Sequence, residues 1–211
     1  MSASSRFASY FENHRLGRTF PWSLYHAPIH REVSRFLGEL PVSARVLNVG
    51  CGPFLDLDDL PSHVRYTGCD IDPRAIEACH ARFGDRLECA VADPLALPFP
   101  AASFDALYAT EVIEHCERPE VWLRELIRVV EPGGRILLTT PNYGSISLPL
   151  LEQTALEIVA RLQGFSRKGI HPFRCTGPAL EALVRAVGGV GVKARELSLG
   201  WVVVVEFGVP S

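Results

Sequence analysis

The stretch Val46-Leu47-Asn48-Val49-Gly50-Cys51-Gly52 decides the fold of this chain. A compact apolar run with β-branched residues reads as a buried strand, and the two glycines that follow read as a tight turn that lets backbone approach a ligand. A strand ending in a glycine turn is the opening unit of an open α/β sheet. On its own it is weak evidence, because glycine turns are common.

Downstream of it the chain alternates short apolar runs with helical periods. Val64–Cys69 reads as a second strand and is followed by Asp72-Pro73, an N-cap and a first helical residue, which predicts a helix over Pro73–Phe83. Leu87–Val91 and Phe104–Ala109 read as the third and fourth strands. Pro119–Val130 is amphipathic, Glu131-Pro132-Gly133-Gly134 reads as a sharp stop, and Arg135–Thr139 reads as a fifth strand. Residues 142–175 break the rhythm with Gly144, Pro149, a helical stretch near Leu150–Leu162, Gly164, Gly169 and Pro172. A helix over Gly177–Val187 and two late strands, Val190–Arg195 and Leu199–Phe207, close the chain. The pattern predicts an α/β, Rossmann-like, doubly wound sheet of seven strands, mostly parallel, with an antiparallel C-terminal edge hairpin.

In such sheets ligands bind at the carboxyl ends of the strands. The first strand there presents Gly50, Cys51 and Gly52. The second ends at Asp70 and Ile71, where a carboxylate accepts hydrogen bonds from both hydroxyls of a ribose. The third ends near Asp93 and Pro94, with Asp93 placed to receive an adenine amino group. The same carboxylates also suit plain loop caps, but three of these features at three successive strand ends favour a ligand.

The ordered stretches VLNVGCG, YTGCDIDPRAIEAC and VADPLALPFPAASFDALYATEVIEHCERPEVWLRELIRVVEPGGRILLTTPN closely resemble the class I S-adenosylmethionine-dependent methyltransferases over about residues 45–142. The resemblance implies that Gly50 and its turn sit against the methionine part of the cofactor, that Asp70 holds the ribose and that Asp93 reads adenine. It puts Asn48, Cys51, Gly52, Ile71, Pro94 and Glu111 beside them as cofactor-binding residues. Three positions depart from the family pattern: Asn48 stands where an acidic residue is usual, Pro53-Phe54 replaces the third glycine, and Pro94 removes a backbone donor next to Asp93. The connection from Gly52 to Val64 is short and rich in aspartate (Asp56, Asp58, Asp59), which predicts a truncated first helix.

The acid–base candidates cluster in Glu111-Val112-Ile113-Glu114-His115, just after the fourth strand. If this segment is helical, Glu111, Glu114 and His115 stand at i, i+3 and i+4 on one face and suit Mg²⁺ or Mn²⁺. The element resembles the metal-binding segment of small-RNA 2′-O-methyltransferases and of ubiquinone-pathway O-methyltransferases. The RNA enzymes carry a further histidine downstream, and His171 in His171-Pro172-Phe173-Arg174-Cys175-Thr176 matches that context as a fourth ligand. In family members that use no metal the histidine packs or contacts substrate. His115 is then a general base, with Glu114 beside it, since an imidazole titrates near neutrality.

Composition bounds these readings. The 211 residues carry 21 Lys and Arg against 24 Asp and Glu, a net charge of −3, with 47% hydrophobic residues, as expected for one globular domain with a substantial core. There is no long basic run, so an RNA acceptor finds no support in charge. Six cysteines without a C-x-x-C pair read as free thiols in a reducing cytoplasm. Neither a signal-peptide core nor a run long enough to span a bilayer is seen, which predicts a soluble cytoplasmic protein without membrane partners. Residues 1–44 form an aromatic-rich helical cap (Phe7, Tyr10, Phe11, Phe20, Trp22, Tyr25, with His26 and His30), and residues 45–211 form the catalytic domain, with an insertion at about 142–175. Cap and insertion together make a substrate lid near Asn142 and Tyr143, although for any one of the cap aromatics ordinary core packing is the stronger reading.

These features predict methyl transfer from S-adenosylmethionine to an oxygen or nitrogen of a small acceptor by in-line displacement. Two alternatives stand beside it. One is a cofactor-binding module without catalysis, motivated by Asn48 and Phe54. The other is a nicotinamide oxidoreductase, which calls for G-x-G-x-x-G where this chain reads Gly50-Cys51-Gly52-Pro53-Phe54-Leu55.

Overall fold

The computed structural model describes residues 23–53, 61–148, 158, 161 and 171–211. The expectations for Phe7 to Trp22, for Phe54 and the Asp-rich connection, and for most of the 150–162 helical stretch lie outside these residues. The described elements are α1 (Ser23–Gly38), β1 (Arg45–Val49), β2 (Arg65–Asp70), α2 (Pro73–Phe83), β3 (Glu88–Val91), β4 (Phe104–Thr110), α3 (Pro119–Val129), β5 (Val130–Pro141), α4 (Gly177–Ala186), β6 (Val190–Leu197) and β7 (Val202–Gly208). Short 3₁₀ turns occupy Gly84–Arg86, Ile113–His115 and Ser198–Gly200.

The seven strands form one sheet in the order β3-β2-β1-β4-β5-β7-β6. Strands β1 to β5 pair in parallel, while β7 runs antiparallel to β5 and to β6, so the expected hairpin lies at the edge with β7 inside it. The order reverses at β1 and β4, which puts the switch point beside the Gly50–Gly52 turn, where such sheets bind ligands.

Alternation along the strands feeds two cores. Val46, Tyr66, Ala106, Tyr108, Leu137, Val202 and Val204 face α1 and α2 through Ile29, Val33, Phe36, Leu37, Ile76 and Cys79. Leu47, Val49, Leu107, Ala109, Ile136, Leu138, Val203 and Val205 face α3 and α4 through Trp122, Leu123, Leu126, Leu180 and Val184. Burying each large apolar side chain contributes about 1.5–3 kcal/mol, so both helical layers are held firmly to the sheet. Residues of α1, the described part of the expected cap, therefore belong to the core.

Helix α1 carries Pro28 in its interior. That proline removes only the N–H that would bond the carbonyl of Leu24, and Leu24 is exposed, so water can serve the carbonyl. One boundary differs from expectation: α3 stops at Val129, ahead of Glu131–Gly134 as expected, but β5 starts at Val130 and not at Arg135, and the extra residues are absorbed as a bulge between the Phe104–Val130 and Ala106–Arg135 pairings. Gly134 allows the close approach, since a Cβ there would lie 2.7 Å from the Asp105 carbonyl oxygen. Helix α2 is as expected, with the Asp72 side chain accepting from the Arg74 amide and Pro73 at its start.

All six cysteines are free. Burial pushes the Cys69 and Cys116 thiols up to about 12, and burial with the nearby Glu114 charge pushes Cys175 up to about 11. Such thiols pack as small hydrophobes and supply no nucleophile at neutral pH. No helix among the described residues is long and apolar enough to cross a membrane.

Candidate active site

The turn after β1 is built by backbone hydrogen bonds to the end of β2. The amides of Gly50 and Cys51 donate to the Cys69 carbonyl at 2.8 and 3.0 Å. Gly50 has φ of 71° and Gly52 of 49°, the left-handed region that glycine enters without strain. Gly50 meets a second constraint, because a Cβ there would lie 2.4 Å from Val112 Cγ2. The glycine turn thus rests directly on the segment that follows β4.

Asp70 is tied to the same turn. Its Oδ2 accepts from the Gly52 amide at 2.9 Å and its Oδ1 from the Asp72 amide at 2.9 Å. Burial pushes its carboxyl above the usual carboxylate range, and the Asp72 and Gly52 amides draw it part of the way back. Asp93 Oδ1 accepts from the Leu95 amide at 2.8 Å. Both carboxylates therefore cap loops, and each keeps lone pairs for a ligand, because a carboxylate offers about four acceptor sites. Ile71 is 62% exposed beside Asp70, an apolar face on offer at the strand ends, and Pro94 lies half-buried next to Asp93.

Asn48 is fully buried in β1, where its Nδ2 donates to the Tyr108 hydroxyl at 2.9 Å. Its Oδ1 is buried without a hydrogen bond among the described residues. A carboxylate at this position would need more compensation than one tyrosine hydroxyl supplies, so the neutral amide is the form this pocket tolerates. Cys51 is buried in the turn, and the Cys79 thiol donates to the Gly52 carbonyl at 3.0 Å, which brings α2 against the turn as well.

The segment 111–115 departs from expectation. It is not an α-helix: Glu111 has φ of 58°, and Ile113–His115 form a single 3₁₀ turn. The i, i+3, i+4 face is therefore lost. Glu111 instead accepts from the Tyr25 hydroxyl at 2.5 Å and from Thr139 Oγ1 at 2.9 Å. Glu114, His115 and His171 do come together, with one ligand atom of each within 4.8 Å of the others. Of the four candidate metal ligands, the structure groups three and leaves Glu111 out.

His171 is carried there by backbone. The Phe173 amide donates to the Glu114 carbonyl and the Tyr143 amide to the Cys175 carbonyl, both at 3.1 Å. Glu114 is fully buried and its Oε2 accepts from Thr140 Oγ1 at 3.1 Å. The Tyr143 hydroxyl and His171 Nδ1 share a hydrogen bond of 2.5 Å, and the rings of His115 and His171 meet edge-on with centroids 5.0 Å apart. Asn142 serves the scaffold: its Nδ2 donates to Glu196 and to the Gly200 carbonyl, pinning the end of β5 to the β6–β7 connection. Thr176 caps α4 through the Ala179 amide. Sequence reading passed over Tyr25, Thr139 and Thr140 as partners of the two glutamates. The one signal for the threonines is a polar pair closing an otherwise apolar strand.

A buried carboxylate with two imidazoles fits a divalent ion of the Mn²⁺ or Zn²⁺ kind better than Mg²⁺, which wants oxygen ligands. An ion held by Glu114, His115 and His171 would lower the pKa of an acceptor hydroxyl and orient it.

Comparison with known proteins agrees with this layout. Residues 47–138 match the family model described as a methyltransferase domain. The chain is 31% identical over 192 residues to the malonyl-[acyl-carrier protein] O-methyltransferase of Erwinia pyrifoliae, covering 77% of this chain and 70% of that one. It is 35% identical over 120 residues to the 27-O-demethylrifamycin SV methyltransferase of Amycolatopsis mediterranei, covering 51% of this chain but only 43% of that relative. Among solved structures, a methyltransferase in complex with the Trm112 methyltransferase activator of Haloferax volcanii superimposes with a TM-score of 0.76 at 16% identity, over 100% of this chain and 98% of that one. A glycine turn, an acid at the next strand end and the strand order of the sheet coincide with these likenesses, and the chain belongs to the class I S-adenosylmethionine-dependent methyltransferases.

Proposed function

We propose that this methyltransferase transfers the cofactor methyl group to an oxygen nucleophile of a small acceptor. The observation that carries the choice of oxygen is the grouping of Glu114, His115 and His171 at the strand carboxyl ends. A hydroxyl is a poor nucleophile until its proton is drawn off, and two imidazoles beside a buried carboxylate supply a place for that proton. The sulfonium cofactor brings an activated methyl group, so this chain's residues chiefly bind, orient and deprotonate. Gly50, Cys51 and Gly52 give the cofactor a close backbone approach, Asp70 takes the ribose, Ile71, Asp93 and Pro94 frame adenine, and Asn48 and Glu111 support the turn from below and beside it. Without a bound ion, His115 receives the acceptor's proton, with Glu114 holding the resulting charge.

Divalent metal assistance is the second form of this reading: Glu114, His115 and His171 would be the ligands, and the ion would lower the pKa of the acceptor hydroxyl in place of the imidazole base. The name of the Erwinia relative, an O-methyltransferase acting on a malonyl group, supports oxygen as the acceptor atom. Nitrogen acceptors stay second because nothing at the site selects an amine, and RNA acceptors because the chain carries no basic excess. A reducing cytoplasm suits the six free thiols.

Isothermal titration with S-adenosylmethionine, then turnover to S-adenosylhomocysteine over a panel of hydroxy, carboxy and amino acceptors, tests the proposal. Binding without product on every acceptor would favour a cofactor module without catalysis. Loss of turnover on chelation and in Glu114→Ala is expected. Full activity in both cases would remove the metal and leave His115 as a metal-free base.

A further inference from the structure

The ligand group differs from an oxygen-rich Mg²⁺ site in one respect that the structure makes concrete. Glu111 is turned away, held by hydroxyls from Tyr25 on α1 and Thr139 on β5. What stays together is one carboxylate and two imidazoles. The usefulness of His171 in that set depends on its tautomer. A neutral imidazole with its proton on Nε2 offers no lone pair there, whereas one with its proton on Nδ1 leaves Nε2 open to a ligand. Its Nδ1 is engaged by the Tyr143 hydroxyl at 2.5 Å. Tyr143 is itself well seated, by its backbone bond to Cys175 and by the Arg174 guanidinium 5.1 Å over its ring.

We infer that Tyr143 is a positioning residue whose hydroxyl oxygen accepts from His171 Nδ1–H in the ion-bound protein, so that Nε2 joins Glu114 and His115 in a nitrogen-rich site selective for Mn²⁺-type transition ions over Mg²⁺. The inference rests on the metal-assisted reading above and goes further in naming the ion class and the residue that prepares the ligand. Metal-bound histidines usually donate their other N–H to a partner of this kind, and loss of that partner typically weakens metal affinity about 10–100-fold. The bond can run in either direction in the free protein, and an ion on Nε2 selects the one in which the phenol oxygen accepts from Nδ1–H, with no net release of a proton.

The test uses the full chain, stripped of metal by a chelator. Electron paramagnetic resonance and calorimetry with Mn²⁺ read affinity in the unaltered protein and in Tyr143→Phe, with Mg²⁺ as competitor and S-adenosylmethionine affinity as the check on folding. The expected result is one tightly bound Mn²⁺ that excess Mg²⁺ does not displace. Tyr143→Phe then binds Mn²⁺ about 10–100-fold more weakly and S-adenosylmethionine unchanged. Equal Mn²⁺ affinity in the two proteins overturns the role of Tyr143 while leaving the ion site standing. No Mn²⁺ binding by the unaltered protein overturns the metal reading itself, and displacement by equimolar Mg²⁺ overturns the selectivity. If Tyr143→Phe does not fold, ¹⁵N correlation spectra of the parent loaded with diamagnetic Zn²⁺ decide instead: His171 is expected to carry its proton on Nδ1 with Nε2 on the ion, and finding the proton on Nε2 overturns the inference.

Discussion

The Tyr25 hydroxyl donates to Glu111 Oε2 at 2.5 Å, joining two residues 86 positions apart. One stands in the first turns of α1 and the other immediately after β4, in a backbone conformation that a glutamate seldom adopts. The bond makes the cap helix a wall of the site. Tyr25→Phe is expected to lower stability by about 1–2 kcal/mol, the worth of a partly buried hydrogen bond to a carboxylate. Glu111→Gln should cost a similar amount, and the double variant less than the sum. Urea denaturation of the four proteins measures this coupling, and strict additivity would mean that the two groups act independently.

The two glycines of the turn should respond differently to alanine. At Gly52 nothing lies within 4 Å of the added Cβ, so only the positive φ is strained, about 1–2 kcal/mol. At Gly50 the same strain is joined by a 2.4 Å approach to Val112 Cγ2. Gly50→Ala is expected to lose clearly more stability than Gly52→Ala and to weaken cofactor binding as well. Thermal melts with and without S-adenosylmethionine check the order, and equal losses would contradict it.

Asp70 links the site to pH. Its folded pKa is raised, mainly by burial, so its contribution to stability is fully present below the ordinary carboxylate pKa and is lost as pH rises through the raised value. The stability of the ligand-free protein relative to Asp70→Asn should therefore fall across that window and then level off. Cofactor affinity moves the other way, with Asp70→Asn binding about 10–100-fold more weakly at neutral pH. Denaturation across a pH series and calorimetry read the two effects separately. A stability difference flat with pH would exclude the shift.

Glu206 on β7 collects Arg35 of α1 and Arg135 of β5. Burial pushes its carboxyl up, but hydrogen bonds from Arg135 and Arg35 outweigh this and leave it below the usual range. Its stabilisation is present above the ordinary carboxylate pKa and is lost as pH falls through the lowered value. Glu206→Gln is expected to cost about 1–2 kcal/mol at neutral pH, the arginines being partly exposed to screening solvent. The gap to the parent should close in acid, and a gap that persists there would point to packing instead.

Much of this was legible in the sequence because the fold is written in local patterns. Asp72-Pro73 marks the start of α2, and the four valines at 202–205 fit an interior strand packed on both faces. What was not legible depends on the third dimension. The start of β5 at Val130, five residues before Arg135, was hidden because a bulge is defined by the neighbouring strand. Glu111 looked like a helical neighbour of Glu114, and only the partners Tyr25 and Thr139 reveal why the backbone turns away. His171 was placed in the candidate site by the resemblance of its motif to that of the RNA enzymes, whereas Tyr143, the residue bonded to it, carries no motif at all.

The segment that delivers His171 is fastened by main-chain hydrogen bonds at Phe173 and Cys175, which any side chains can supply. The mooring is thus indifferent to what stands at position 171. A descendant of this chain could exchange the imidazole for another group by a single substitution, and with it change how its acceptor is activated, while the scaffold underneath stayed as it is.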